Sequence, residues 1–285
     1  MKLVTFERTP GVAEAGVLSG ETVVSLAGAG IHAVVELATG GDAALEKAAA
    51  YAASAPDSAK ASLGSVKLLA PIPKPGKIFC VGLNYRDHAI ESNMAIPAVP
   101  TIFSKFNNTV IATGETIVLP KISTQPDYEA EFALVIGKGG KRIAADDWKA
   151  HVFGYMNLND VSARDLQLVT TQWLMGKTPD TFAPMGPYIL TAGEVADPHN
   201  LNITMTINGE VLQSSNTKHL IFRIPDLIAY ISQVVTLEPG DIISTGTPAG
   251  VGFARKPPRY LAAGDTCVVE VEGLGQLVNP VIVGD

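Results

Sequence analysis

The chain has 285 residues, of which 47% are apolar and 17% charged, with 27 glycines and 19 prolines. That composition supplies one large core or two unequal ones and favours a turn-rich β architecture over a helical bundle. The net charge of −7 is offset by no cluster of Lys and Arg, which excludes a nucleic-acid binder of the basic-patch kind.

In chain order, residues 1 to 70 read as a small α+β unit. Strand-like runs at Lys2–Phe6, Glu14–Leu18 and Thr22–Ser25 lead into an alanine-rich helix over Asp42–Ala55. Pro71-Ile72-Pro73-Lys74-Pro75-Gly76 breaks regular structure and reads as the linker to a second unit, residues 71 to 285. Strands dominate there, at Ile78–Val81, Thr101–Lys105, Thr116–Leu119, Tyr128–Ile136, Val152–Asn159, Tyr188–Thr191, Asn202–Ile207, Asp241–Thr245 and Thr266–Val271. Turn clusters such as Asn208-Gly209-Glu210 separate them, and helices are expected over Ala163–Trp173 and Ile224–Gln233. The expected fold class is mixed β with peripheral helices, α+β.

The two cysteines, Cys80 and Cys267, each sit in an apolar run and read as buried reduced thiols. The opening Met1–Arg8 lacks the apolar stretch of a signal peptide, and no apolar window is long enough to span a bilayer. A cytoplasmic protein with no membrane role is the expectation.

Chemistry concentrates in Asp127-Tyr128-Glu129-Ala130-Glu131-Phe132-Ala133-Leu134-Val135-Ile136. Residues i and i+2 on a strand share a face, so Glu129 and Glu131 point the same way. Two carboxylates ~7 Å apart repel by roughly 2 kcal/mol at an effective dielectric of ~20, a penalty that a cation between them removes. A solvated strand face would also accommodate Glu-x-Glu, but the apolar run that follows argues against full solvation. Asp160 ends the run Val152-Phe153-Gly154-Tyr155-Met156-Asn157-Leu158-Asn159 and supplies a third carboxylate. An all-oxygen set suits Mg²⁺ or Mn²⁺, whereas the scattered histidines and unpaired cysteines do not suit zinc.

His88 and Glu91 lie three apart, on one face if that stretch is helical. The pair is either an exposed helical contact or a base with its orienting carboxylate. Arg164 and Gln167 follow Asp160 by four and seven residues and would share a helical face, with Arg164 a natural partner for a substrate carboxylate. Gly176-Lys177-Thr178 resembles the end of a phosphate loop, but Thr171 stands where the first glycine of that motif must be. Ile243-Ser244-Thr245-Gly246-Thr247-Pro248-Ala249-Gly250 runs from a strand into a glycine-rich loop able to approach a small anion.

Taken in order, these stretches resemble the fumarylacetoacetate hydrolase family over residues 75 to 285. The resemblance rests on Val81-Gly82-Leu83-Asn84-Tyr85 with His88, Tyr128-Glu129-Ala130-Glu131, Asn159-Asp160-Val161-Ser162-Ala163-Arg164-Asp165 with Gln167, Gly176-Lys177, Pro184-Met185-Gly186-Pro187 and Thr245-Gly246-Thr247-Pro248. It implies a β-roll catalytic domain with a small N-terminal extension, a homodimer, and a Mg²⁺ or Mn²⁺ site on Glu129, Glu131 and Asp160. It also implies that a small 2-oxo acid binds there, with Lys177 stabilising its enolate and Thr247 holding its carboxylate. His88 would be the base on a mobile lid and Glu91 its orienter, with Gln167, Arg164 and Lys105 lining the pocket.

Such a site serves several reactions. Water activated by His88–Glu91 hydrolyses the C–C bond of an acylpyruvate, which is the first expectation. A proton moved without water gives tautomerisation or isomerisation of a 2-hydroxy-dienoate, and loss of CO₂ gives oxaloacetate decarboxylation. A non-catalytic oxo-acid binder would not need the intact triad and Lys177. Substrate choice is expected to rest with Met94–Pro100 and the Phe182–Met185 loop.

Overall fold

The computed structural model describes residues 1–284. Strand Ala130–Ile136 is buried at every position and lies in the middle of a 12-stranded sheet. From it the sheet runs one way through Val152–Asn159, Ala183–Thr191, Lys2–Thr9, Val12–Ser19, Thr22–Ser25 and Lys60–Ser62. The other way it runs through Ile242–Ser244, Ile78–Gly82 and Thr101–Lys105. A five-stranded sheet of Glu210–Asn216, Asn202–Ile207, Thr266–Val271, Gln276–Val283 and Ile117–Leu119 completes the β framework.

Because side chains alternate across a strand, Ala130–Ile136 feeds two cores. Phe132, Leu134 and Ile136 join Ile203, Met205, Val269 and Leu277 of the smaller sheet. Ala133 and Val135 point the other way, to Met156, Leu158, Leu37 and Ile72. Glu129 and Glu131 have the parity of Ala133 and Val135, so they continue that second face where it meets the site. The sheet-dominated architecture with few helices agrees with the expected fold class.

Some elements differ from the sequence expectation. The first helix is Val34–Ser54, longer than expected, with a break at Gly41 (φ 59°) where two helical pieces meet. The helix expected over Ala163–Trp173 is two short turns, Arg164–Gln167 and Leu174–Lys177, because the bond pattern stops at Leu168 and resumes only after Trp173. Strands Glu210–Asn216 and Gln276–Val283 carry polar residues and a proline, and so escaped a reading based on apolar runs. The N-terminal strands are continuous with the large sheet, through Lys2↔Leu190 and Leu3↔Ile189. The proline-rich segment packs rather than dangles: Pro71 and Ile72 are buried, and the Thr5 hydroxyl donates to the Pro71 carbonyl at 2.7 Å.

Candidate active site

Strand register assembles the acidic centre. Ala130 pairs with Asn159, so Asp160, one step past the pair, arrives beside Glu129, whose carbonyl accepts from the Asp160 N–H at 2.9 Å. Ala133 pairs with Ser244, which brings the end of that strand to Glu131. Glu131 Oε2 accepts from the Ser244 hydroxyl at 2.5 Å and from the Gly246 N–H at 2.9 Å. Gly246 has φ 100°, and a Cβ there would lie 2.9 Å from the Val81 carbonyl oxygen, so only glycine lets this backbone amide reach the carboxylate. One oxygen from each of Glu129, Glu131 and Asp160 lies within 4.8 Å of the others, and all three residues are buried.

Four buried carboxylates here, counting Asp127, face three cations. Lys177 Nζ donates to Glu129 at 2.7 Å and to Asp160 at 2.8 Å. Lys105 Nζ donates to Asp160 at 2.5 Å, while Arg164 pairs with Glu129 at 2.7 Å and Asp127 at 2.9 Å. That leaves one carboxyl without a counter-charge, Glu131, to which none of the three cations bonds. Burial, then the neighbouring Asp160 and Glu129, push its carboxyl well above the ordinary carboxylate range. Glu129 shifts the other way, since Lys177 and Arg164 outweigh its burial. Burial lowers the Lys105 ammonium, whereas Asp160 and Glu129 outweigh burial at Lys177 and raise it. The set fits a hard divalent cation. Three carboxylate oxygens converge, one of them lacks a counter-charge, and no nitrogen or sulfur ligand intrudes.

Above Glu129 and Glu131 lies a cavity of about 100 Å³, also lined by His88, Arg164, Gln167, Lys177, Thr247 and Phe253. His88 sits on the short helix Arg86–Glu91, is buried, and has no hydrogen-bond partner at Nδ1; Glu91 Oε1 lies 3.8 Å from that nitrogen. The Asp87 carboxylate ties this helix down, accepting from the His88 N–H and from the Ser215 hydroxyl, both at 2.8 Å.

Of the residues singled out in the sequence, His88, Glu129, Glu131, Arg164, Gln167, Lys177 and Thr247 converge on one cavity, with Asp160 beneath it. Lys105 does not line it: its side chain is fully buried behind Asp160 and also donates to the Val161 carbonyl. The Thr247 hydroxyl is engaged already, donating to the Ala130 carbonyl and accepting from Gln213. The Phe182–Met185 segment is also absent from the cavity, with Phe182 and Met185 fully inside the core. Three residues escaped notice. Asp127 holds Arg164 and accepts from the N–H groups of Gly252 and Phe253. Phe253 stacks its ring 4.5 Å from the Arg164 guanidinium. Gln213 anchors both Thr247 and the Ala130 amide. Only Asp127 carried a signal, as a charge opening the strand of the two glutamates.

The fold and the acidic pocket define a class of enzyme, and the chain belongs to it: residues 77–282 match the fumarylacetoacetate hydrolase family, by the model for its C-terminal domain. Among relatives, the mitochondrial oxaloacetate tautomerase Fahd2a of Rattus norvegicus is 51% identical over 218 residues, covering 76% of this chain and 70% of that protein. Among solved structures, maleylpyruvate hydrolase from Sphingobium sp. SYK-6, in complex with manganese(II) and pyruvate, is 30% identical with TM-score 0.85 over 100% of both chains. The 2-hydroxyhepta-2,4-diene-1,7-dioate isomerase of Mycobacterium marinum is 32% identical with TM-score 0.79, covering 99% of this chain and 98% of that one. No helix among the described residues is long and apolar enough to cross a membrane.

Proposed function

We propose that this chain interconverts the keto and enol forms of a compact 2-oxo acid of the oxaloacetate class, using Mg²⁺ or Mn²⁺ held by Glu129, Glu131 and Asp160. The observation that carries the reading is His88, buried, with an unpaired Nδ1, and lining the same cavity as Glu129, Glu131 and Lys177. Keto-to-enol conversion takes a proton from carbon 3 and places one on the 2-oxo oxygen, so it needs a base at the carbon and a protonated group facing the oxygen. His88 is placed for the first and Lys177 for the second. Glu129, Glu131 and Asp160 would hold the metal, which would supply Lewis-acid charge for the developing enolate. Gln167 and Arg164 orient the acid.

The lining supports the same reading: Glu129, Glu131, Arg164 and Lys177 bring four charged groups to the cavity, with His88 and Gln167 beside them, a surface suited to a small polar acid. The relative named an oxaloacetate tautomerase, identical at half of the aligned positions, supports it independently.

Hydrolysis of an acylpyruvate, the first expectation from the sequence, is the second reading. The intact His88–Glu91 pair and the likeness to maleylpyruvate hydrolase favour it. A homodimer belongs to the proposal, with the exposed Val169 and Met175 offering apolar surface for a second copy. The test follows enol absorbance of oxaloacetate and of acetylpyruvate with purified protein, with Mn²⁺ and then EDTA. Mn²⁺-dependent equilibration of oxaloacetate enol without pyruvate release supports tautomerisation. Cleavage of acetylpyruvate with little effect on oxaloacetate would replace it with hydrolysis.

A further inference from the structure

The cavity wall is not uniformly adjustable. Met94 and Leu168 line it but are 53% and 62% exposed, free to swing outward. Trp173 also lines it and is held on two sides. Its ring meets Phe103 edge-on, with centroids 5.5 Å apart and planes at 69°. On another side it lies against the backbone of Gly82, so closely that a Cβ there would be 2.4 Å from the indole.

Phe103 in turn lies 4.9 Å from Lys177 Nζ, measured to the ring centroid. The wall therefore runs unbroken from the ammonium group through Phe103 to the indole. Trp173 and Lys177 also belong to one turn, since the N–H groups of Gly176 and Lys177 both donate to the Trp173 carbonyl, at 3.0 and 3.2 Å. That turn packs backbone to backbone against the preceding one, since a Cβ at Gly176 would meet the Gln167 amide nitrogen at 2.4 Å. The indole is thus tied to the cationic floor through backbone contacts.

We propose that Trp173 sets the size of the group that the substrate carries beyond carbon 3, excluding 2-oxo acids with bulky or aromatic ends. The inference rests on the reading of the site as a 2-oxo-acid pocket and deepens it by naming the substrate class: compact acids. An acid whose keto oxygen faces Lys177 directs its remaining chain along the Phe103–Trp173 wall. Close-packed interiors do not yield to an extra ring, so a larger end group is rejected sterically. The helical turn is capped by the Trp173 backbone carbonyl, so shortening the side chain leaves it in place.

The experiment measures equilibrium binding of pyruvate and of phenylpyruvate to the Mn²⁺-loaded full-length protein by calorimetry, in native protein, Trp173→Ala and Trp173→Leu. Native protein is expected to bind phenylpyruvate at least ~10-fold more weakly than pyruvate. Trp173→Ala is expected to shift that ratio by ~10-fold or more toward phenylpyruvate, and Trp173→Leu by less. If Trp173→Ala fails to fold, the Trp173→Leu ratio alone decides. An unchanged ratio in a folded variant that still binds pyruvate overturns the inference and leaves the proposed function standing. Native protein that binds neither acid overturns the proposed function, and the role of Trp173 with it.

Discussion

Glu91 Oε2 accepts a hydrogen bond from the backbone N–H of Gly250 at 2.5 Å, although the two residues are 159 apart in sequence. The carboxylate on the His88 helix is thereby fastened to the loop that carries Thr247. Its other oxygen remains near His88 Nδ1. One side chain thus ties this helix to that loop and holds its second carboxylate oxygen 3.8 Å from His88 Nδ1.

Removing that side chain should separate turnover from metal binding. Glu91→Ala is expected to lower kcat by about 100-fold, and His88→Ala by roughly 10²–10⁴, the ordinary worth of a positioned base. Mn²⁺ affinity should stay within a few-fold of native in both, since neither residue touches the triad. Enol-absorbance kinetics and calorimetry check the two halves, and unchanged kcat in His88→Ala would remove it as the base.

Metal binding should register as stability. At about 100 times its Kd, a ligand that binds only the folded state contributes ~2.7 kcal/mol, which for a chain of this size raises Tm by about 4–5 °C. Scanning calorimetry of EDTA-treated protein before and after Mn²⁺ measures it. In Glu131→Gln the rise should vanish, and the metal-free variant should melt no lower than metal-free native protein, because the amide oxygen can still accept from Ser244 and Gly246 and no buried carboxyl remains without a counter-charge. A full Mn²⁺ response in Glu131→Gln would mean that the site lies elsewhere.

The raised Glu131 carboxyl fixes the sign of a pH effect. A carboxyl whose folded pKa exceeds its ordinary 4.5 binds more protons when folded, so its contribution is complete below 4.5 and is lost as pH rises through the folded value. Metal-free native protein should therefore lose stability between 4.5 and neutrality relative to metal-free Glu131→Gln. Glu129, shifted downward, acts in the opposite window, below 4.5. Since the proton on Glu131 must leave for a cation to bind, Mn²⁺ affinity should climb over that same rise in pH. Parallel Tm-versus-pH curves for the two proteins would contradict the assignment.

Lys105, buried behind Asp160, should behave as a structural cation. Lys105→Met leaves the Asp160 carboxylate with Lys177 alone, and breaking a buried pair from one side costs about 3–5 kcal/mol. Chemical denaturation should show that loss, with little change in KM at a temperature where the variant is folded. A raised KM with native stability would instead make Lys105 a substrate contact.

Much of this protein was legible from local pattern. The period-two spacing of Glu129 and Glu131 put both on one face, and the apolar run after them marked a buried strand. Asp160 at the end of a second buried strand, the His88–Glu91 spacing and the Gly246–Gly250 loop were equally visible, because each depends on neighbours within a few residues. The two helical turns around Lys177 were not, since their break depends on what the intervening residues pack against.

What only the tertiary structure decided is set by contacts across long stretches of chain. Lys105 and Arg164 are both cations near Asp160 or Glu129, yet one is enclosed behind the triad and the other faces the cavity, a difference of depth that no spacing encodes. Asp127, Gln213 and Phe253 acquire meaning only from partners tens of residues away. The close approach of the Gly82 backbone to the Trp173 indole, 91 positions later, is likewise a product of the fold. The sequence alone singled out the three carboxylates and the oxygen-donor chemistry they offer, since strand periodicity is a local property. The fold determined which charges are compensated and how much room a substrate has, since burial and packing are properties of the whole chain.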